Sequence, residues 1–168
     1  MPLGLPTPPS AGKRRIAFMA PHGAVAGVRA AVALDCVLAV GCFPSAWRAT
    51  LAAVDGAAAR LGLRTRVFGS LMWQYLSGLP YVTEASDVDL LWLLPAGSAG
   101  GCDALLQALL RIDAQQGPRI DGEIVANGAA VQWRELAAAG RDDLLMVKTA
   151  GDARLYPRRR WLAGEARA

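Results

Sequence analysis

Two rhythms of apolar and polar residues alternate along the chain, and together they predict a mixed α/β order. RRIAFMA reads as a short strand, PSAWRATLAAVDGAAARLG carries helix formers from Ser45 to a stop at Gly62, and RTRVFG reads as a strand with a helix after Ser70. Beyond the loop SGLPYVTEAS, the pattern of DVDLLWLLP predicts a strand ended by Pro95, and GGCDALLQALLRIDAQQG a helix opened near Asp103. RIDGEIV is a further strand. The Asn127-Gly128 pair signals a tight turn before AAVQW, and DLLMVKT with ARLYP closes the sheet. No internal repeat is evident.

One of these strands is interrupted by charge. A carboxylate at an inward strand position costs several kcal/mol, on the order of 2–7, unless something pairs with it, so Asp87 and Asp89 either face water or hold a cation. Alternation along a strand puts both on one face with Cα atoms roughly 6 to 7 Å apart. Two carboxylates so placed can share Mg²⁺, which takes one or two carboxylates completed by water and phosphate oxygens. A solvated strand start, with Ser86 and Asp87 as turn residues, is the plainer alternative. RIDGEIV offers a third carboxylate from a neighbouring strand, Asp121 or Glu123; both lie on one face, so alternation does not choose, and Asp121 is favoured.

Upstream, Gly69-Ser70 marks a handover from strand to helix. Such a junction leaves backbone N–H groups and the positive end of the helix dipole pointing outward, which suits a phosphate. Gly-Ser is also ordinary turn and capping chemistry, and the Walker pattern GxxxxGK[ST] is absent.

Composition narrows the choice of chemistry. The 168 residues suit one domain of ordinary size with a core that needs no staples. Cys36, Cys42 and Cys102 are odd in number and lack CxxC spacing, which predicts reduced thiols in a cytoplasmic protein. His22 is the only histidine, so a His-based metal cage is nearly excluded and a Ser-His-Asp triad would rest on that one loop residue. No apolar run reaches the roughly 18 to 20 residues of a membrane span. MPLGLPTPPSAGKRR has the wrong order for a secretory signal and reads as a flexible lead-in. Net charge is +4, yet residues 1–152 hold 13 basic and 13 acidic side chains, while 153–168 hold five arginines and one glutamate. A neutral body without an aromatic-basic RNA motif argues against nucleic-acid binding.

The order Gly-Ser, then Asp-x-Asp on one strand, then an acid on a later strand resembles the polymerase-β-type nucleotidyltransferases. More narrowly, VFGSLMWQYLSGLPYVTEASDVDLLW, RIDGEIVANGAAVQWREL and LLMVKTAGDARL resemble the malonate decarboxylase holo-acyl-carrier-protein synthases, a family of phosphoribosyl-dephospho-CoA transferases. The likeness runs from about Ile16 over most of the chain, and family members carry additional sequence before the part matching GKRRIAFMAP. The resemblance implies an α+β fold with a nucleotidyltransferase-like mixed sheet and flanking helices. It divides the chain into a Pro-rich leader with a shortened N-terminal portion (1–44), a catalytic domain (45–156) and a basic tail (157–168).

The implied reaction moves a phosphoribosyl-dephospho-CoA group from triphosphoribosyl-dephospho-CoA to a serine of the malonate decarboxylase acyl carrier protein, releasing diphosphate. Gly69 and Ser70 would cradle the leaving phosphates, Asp87 and Asp89 would hold Mg²⁺, and Asp121 would complete the site and take the serine proton. Lys148 would touch a phosphate, against the alternative of a solvated strand-end lysine. Trp73 and Trp92 are weighed as adenine platforms or as core, and Arg64 and Arg66 as polyphosphate-steering or solvent-facing residues. Two rivals remain: another Mg-dependent nucleotidyltransferase acting on a small molecule or protein, and a non-enzymatic binding module. The arginine-rich tail could steer an acidic carrier protein, or be solvated and idle.

Overall fold

The computed structural model describes residues 2–95 and 99–166. Its centre is a six-stranded sheet in the order β3 (Thr65–Val67), β4 (Val88–Leu94), β5 (Ile120–Ala126), β6 (Ala129–Gln132), β7 (Leu144–Lys148), β8 (Ala153–Pro157). The β4–β5 pair is parallel and every other pair antiparallel. A parallel pair needs a long crossover. Helix α4 (Ala99–Asp113) supplies it, whereas Asn127 and Gly128, with φ of 52° and 79°, turn β5 directly into β6.

Alternation decides which face is covered. Val88, Leu90, Trp92 and Leu94 of β4 point one way with Ile120 and Ile124 of β5, Val131 of β6 and Leu145 and Val147 of β7, and all are buried. Against them pack α1 (Leu34–Val40), α2 (Arg48–Arg60), α4 and α5 (Trp133–Ala138), whose buried residues join the strands in one core. In α2 the inward stripe is Leu51, Val54 and Ala58; in α4 it is Cys102, Leu105, Leu106 and Leu109, the spacing of one helical face. Each fully buried leucine contributes roughly 1.5 to 3 kcal/mol. Trp92 is fully buried and its Nε1 donates to Thr65 Oγ1 at 3.2 Å, so it is core and no ligand platform.

Several elements differ from the sequence expectation. Helix α4 starts at Ala99, not near Asp103, because Cys102 already belongs to its buried face. Helix α1 has no counterpart in that expectation; Leu34 and Val37 bury it and Gly41, at φ 72°, ends it. The lead-in is not an unpaired segment: β1 (Pro2–Pro6) pairs antiparallel with β2 (Arg15–Met19), from Pro2 opposite Met19 to Pro6 opposite Arg15. Prolines at the strand ends are tolerated because this small sheet has only edges.

At the other end, residues expected as a basic tail are folded. Trp161 of α6 (Arg158–Leu162) is fully buried and donates its Nε1 to Ala129 O at 3.1 Å. Arg158 pairs with Asp103 at 2.6 Å, Arg159 with Asp142, and Arg160 with Glu165 at 2.5 Å. With Arg154 on Asp152 at 3.2 Å, four of the five arginines that carry the positive excess are thus ion-paired; residues 167–168 of the expected tail lie outside the described residues. Among the described residues no helix is long and apolar enough to cross a membrane.

Candidate active site

The face of the sheet opposite the core carries the polar strand positions. Parallel pairing sets Asp89 of β4 beside Asp121 of β5, and Leu91 beside Glu123, one row further along. Gly122 permits this approach: a Cβ there would meet Leu90 O at 2.3 Å. On the other side of β4, the Phe68 N–H donates to Asp89 O at 3.0 Å, so helix α3 (Gly69–Ser77) begins next to the Asp89 side chain. Gly69 has φ of +60°, and a Cβ on it would fall 1.9 Å from Asp89 Oδ2. A side chain at position 69 and a carboxylate at position 89 therefore exclude one another. No side chain caps the first turn of α3, leaving the N–H groups of Gly69 and Ser70 beside the carboxylate.

Each acid has a different electrostatic setting. Asp121 is fixed: its Oδ1 accepts from the Gly122 N–H at 2.8 Å and from Gln132 Nε2 at 3.0 Å. Gln132 is itself anchored, since its Oε1 accepts from the Glu135 N–H at 2.9 Å and caps α5. Asp87 is neutralised by Arg119, whose Nη1 donates to its Oδ2 at 2.9 Å. Glu123 is engaged by Lys148 at 2.9 Å, and that bond and charge raise the affinity of the amine for its proton. Arg134 forks onto Asp113 at 2.5 and 2.6 Å and also donates to Ile120 O, adding positive charge near Asp121 and Asp87.

Asp89 accepts no side-chain hydrogen bond from the described residues. Burial, reinforced by the charges of Asp121 and Asp87, pushes its carboxyl up to about 6. A site built this way lacks a positive charge at Asp89. Asp89 and Asp121 offer hard oxygens, the donor type that magnesium takes in ones and twos, and the pair fits such an ion. Among the described residues no three His, Cys, Asp or Glu side chains form a complete metal cluster.

The structure thus sets Asp89 beside Asp121 on the strands and beside Gly69 and Ser70 at the cavity wall, whereas Asp87 is held apart on Arg119 and neither Asp87 nor Asp121 lines that cavity. Lys148 lies one row away against Glu123 and is also absent from the walls of the cavity beside Gly69. Trp73 lines that cavity with Tyr81, ring centroids 6.3 Å apart. Arg64 turns to Asp35 and Arg66 to Ala31 O, both outside the cavity, and His22 is exposed in a short turn. Sequence reasoning missed Gln132, Arg119 and Arg134. Gln132 and Arg119 left a signal: alternation along β6 puts Gln132 on the face of its partner Glu123, and alternation along RIDGEIV puts Arg119 on the face of Asp121 and Glu123.

Residues 31–159 match the family model described as phosphoribosyl-dephospho-CoA transferase MdcG C-terminal domain. The chain is 42% identical over 158 residues to a protein named phosphoribosyl-dephospho-CoA transferase from Xanthomonas campestris pv. campestris (strain 8004), a match covering 93% of this chain and 71% of that one. A protein of the same name from Bradyrhizobium diazoefficiens is 39% identical over 163 residues, covering 96% of this chain and 70% of that one. No solved structure gives a significant match.

Proposed function

The chain belongs to the phosphoribosyl-dephospho-CoA transferase family and is a transferase, and from that premise we propose a specific reaction for it. It transfers the phosphoribosyl-dephospho-CoA group of triphosphoribosyl-dephospho-CoA to a serine of the malonate decarboxylase acyl carrier protein. The observation that carries this reading is the pair Asp89 and Asp121, side by side on parallel strands and against the glycine that opens α3. On the same reading, the sheet with its carboxylate-bearing open face is of the nucleotidyltransferase type, and residues 45–156 are its catalytic part.

The chemistry follows from what the residues can do. The serine oxygen attacks the α-phosphorus of the donor, the bond from that phosphorus to the bridging oxygen of the β-phosphate breaks, and diphosphate departs. Asp121, oriented through Oδ1 by Gly122 and Gln132, keeps Oδ2 to receive the serine proton. Backbone N–H groups of Gly69 and Ser70 hold the departing phosphates in a turn that no side chain fills. Asp89 and Asp121, with Asp87, would hold a magnesium ion, which when bound supplies positive charge to phosphate oxygens. Lys148 orients Glu123, and Glu123 stays out of the metal set.

The test is intact mass of the carrier protein after incubation with enzyme, Mg²⁺ and donor. A gain equal to one phosphoribosyl-dephospho-CoA group on serine is the expected result. An unmodified carrier, together with transfer of a nucleotide from another triphosphate to a different acceptor, would overturn it in favour of a general nucleotidyltransferase.

A further inference from the structure

The hairpin β1–β2 lies outside residues 31–159, the part matched by the family model of the C-terminal domain, yet it forms a wall of the cavity that ends at Asp89. That cavity encloses about 690 Å³, the size of a nucleotide-like ligand site. Its hairpin side is lined by Lys13, Arg14 and Arg15, and its opposite side by the start of α3, Trp73 and Tyr81. The position of the three cations is set by the loop before β2. Gly12 and Lys13 both take positive φ, 83° and 47°, and Thr7 locks the return with its N–H donating to Arg14 O at 2.8 Å and its Oγ1 accepting from the Arg14 N–H at 2.8 Å. Tyr81 Oη then ties the hairpin to the body by donating to Pro6 O at 3.0 Å.

The charge of this cavity is lopsided. Among the described residues Lys13, Arg14 and Arg15 take part in none of the ion pairs, and Asp89 is the one acid in the cavity wall. Exposed arginines and lysines converging with α3 backbone amides suit several adjacent anionic oxygens, and an aromatic wall beyond them suits a planar base. A ligand with both features is an organic polyphosphate.

We propose that the β1–β2 hairpin is a polyphosphate clamp, in which Lys13, Arg14 and Arg15 bind the terminal phosphates of the donor while its α-phosphorus sits at Asp89. This rests on the functional reading above for the identity of the donor, but not for the presence of the clamp. Once transfer has occurred, the same three side chains hold the diphosphate until it leaves.

The probe is inorganic triphosphate, titrated calorimetrically into the full chain at low ionic strength. The variant Lys13→Asn/Arg14→Ser/Arg15→Ser keeps a residue tolerant of positive φ at 13 and touches exposed side chains only, so its melting temperature should match the parent. Its affinity for triphosphate should fall at least about tenfold, since three cations that face adjacent anionic oxygens are removed together. A control with the same charge change outside the cavity, Arg60→Ser/Arg64→Ser/Arg154→Ser, should stay within about twofold of the parent. Equal losses in the two variants, no loss in the first, or a parent that does not bind triphosphate would each overturn the clamp. Donor KM measured in parallel should rise with carrier KM unchanged; should no carrier be modified by any protein, the reaction assignment fails while the triphosphate titration still decides the clamp.

Discussion

Replacing Asp89 with asparagine should make the metal-free protein more stable at neutral pH while destroying its chemistry. The carboxyl is raised from an ordinary value of 3.8 to about 6, first by burial and then by the charges of Asp121 and Asp87. Two pKa units correspond to about 3 kcal/mol, and because Asp89 is only half-buried, solvent screening reduces this to about 1 to 2 kcal/mol. A folded-state pKa above the unfolded one means that the folded protein binds the proton more tightly. The contribution of Asp89 is therefore fully present below the unfolded value of 3.8 and is lost as pH rises through about 6. The amide that replaces the carboxyl in Asp89→Asn does not ionise. In thermal or urea unfolding with chelator at pH 7.5, this variant should exceed the parent by about 1 to 2 kcal/mol, or roughly 2 to 8 °C in Tm for a chain of this size. The advantage should shrink steadily as the pH is lowered toward 4.5. Adding Mg²⁺ at pH 7.5 should raise the Tm of the parent and leave that of the variant unmoved. A variant no more stable than the parent at pH 7.5, or an advantage that does not shrink on acidification, would refute the picture of an uncompensated charge at Asp89.

Two further substitutions probe the neighbours. Asp121→Asn should reduce kcat for transfer by about a hundredfold or more with donor KM little changed, whereas Glu123→Gln, which loses only a partner of Lys148, should be milder; steady-state kinetics that rank them the other way would move the proton acceptor to Glu123. Gly69→Ala sets a methyl 1.9 Å from Asp89 Oδ2 on a backbone with φ of +60°, so it should lower stability by about 1 to 2 kcal/mol in chemical unfolding and lower transfer at least tenfold.

How much of this was legible in the sequence varies with the range of the interaction. The strand alternation of residues 88–94 and the Asn127-Gly128 turn are local, and both emerged from pattern alone. That Asp89 meets Asp121 and not Glu123 is a matter of register between strands far apart in sequence, which no periodicity encodes. The hairpin was hidden because its first strand carries prolines at both ends and has no buried face to enforce alternation. Trp161 shows the opposite failure: a single buried indole outweighs three adjacent arginines and folds a run whose composition reads as solvated.

The parallel pairing of β4 with β5 also bears on how fast the molecule assembles. Residues 89 and 121 come together only after the crossover through α4 has been closed, a non-local step whose loop entropy must be met before its contacts form. At neutral pH that step also drives two carboxylates into one another, so the barrier carries an electrostatic component wherever the strands meet in the transition state. A divalent cation or mild acid would then act on the folding limb of the chevron, letting Asp89 and Asp121 govern the rate at which the sheet assembles.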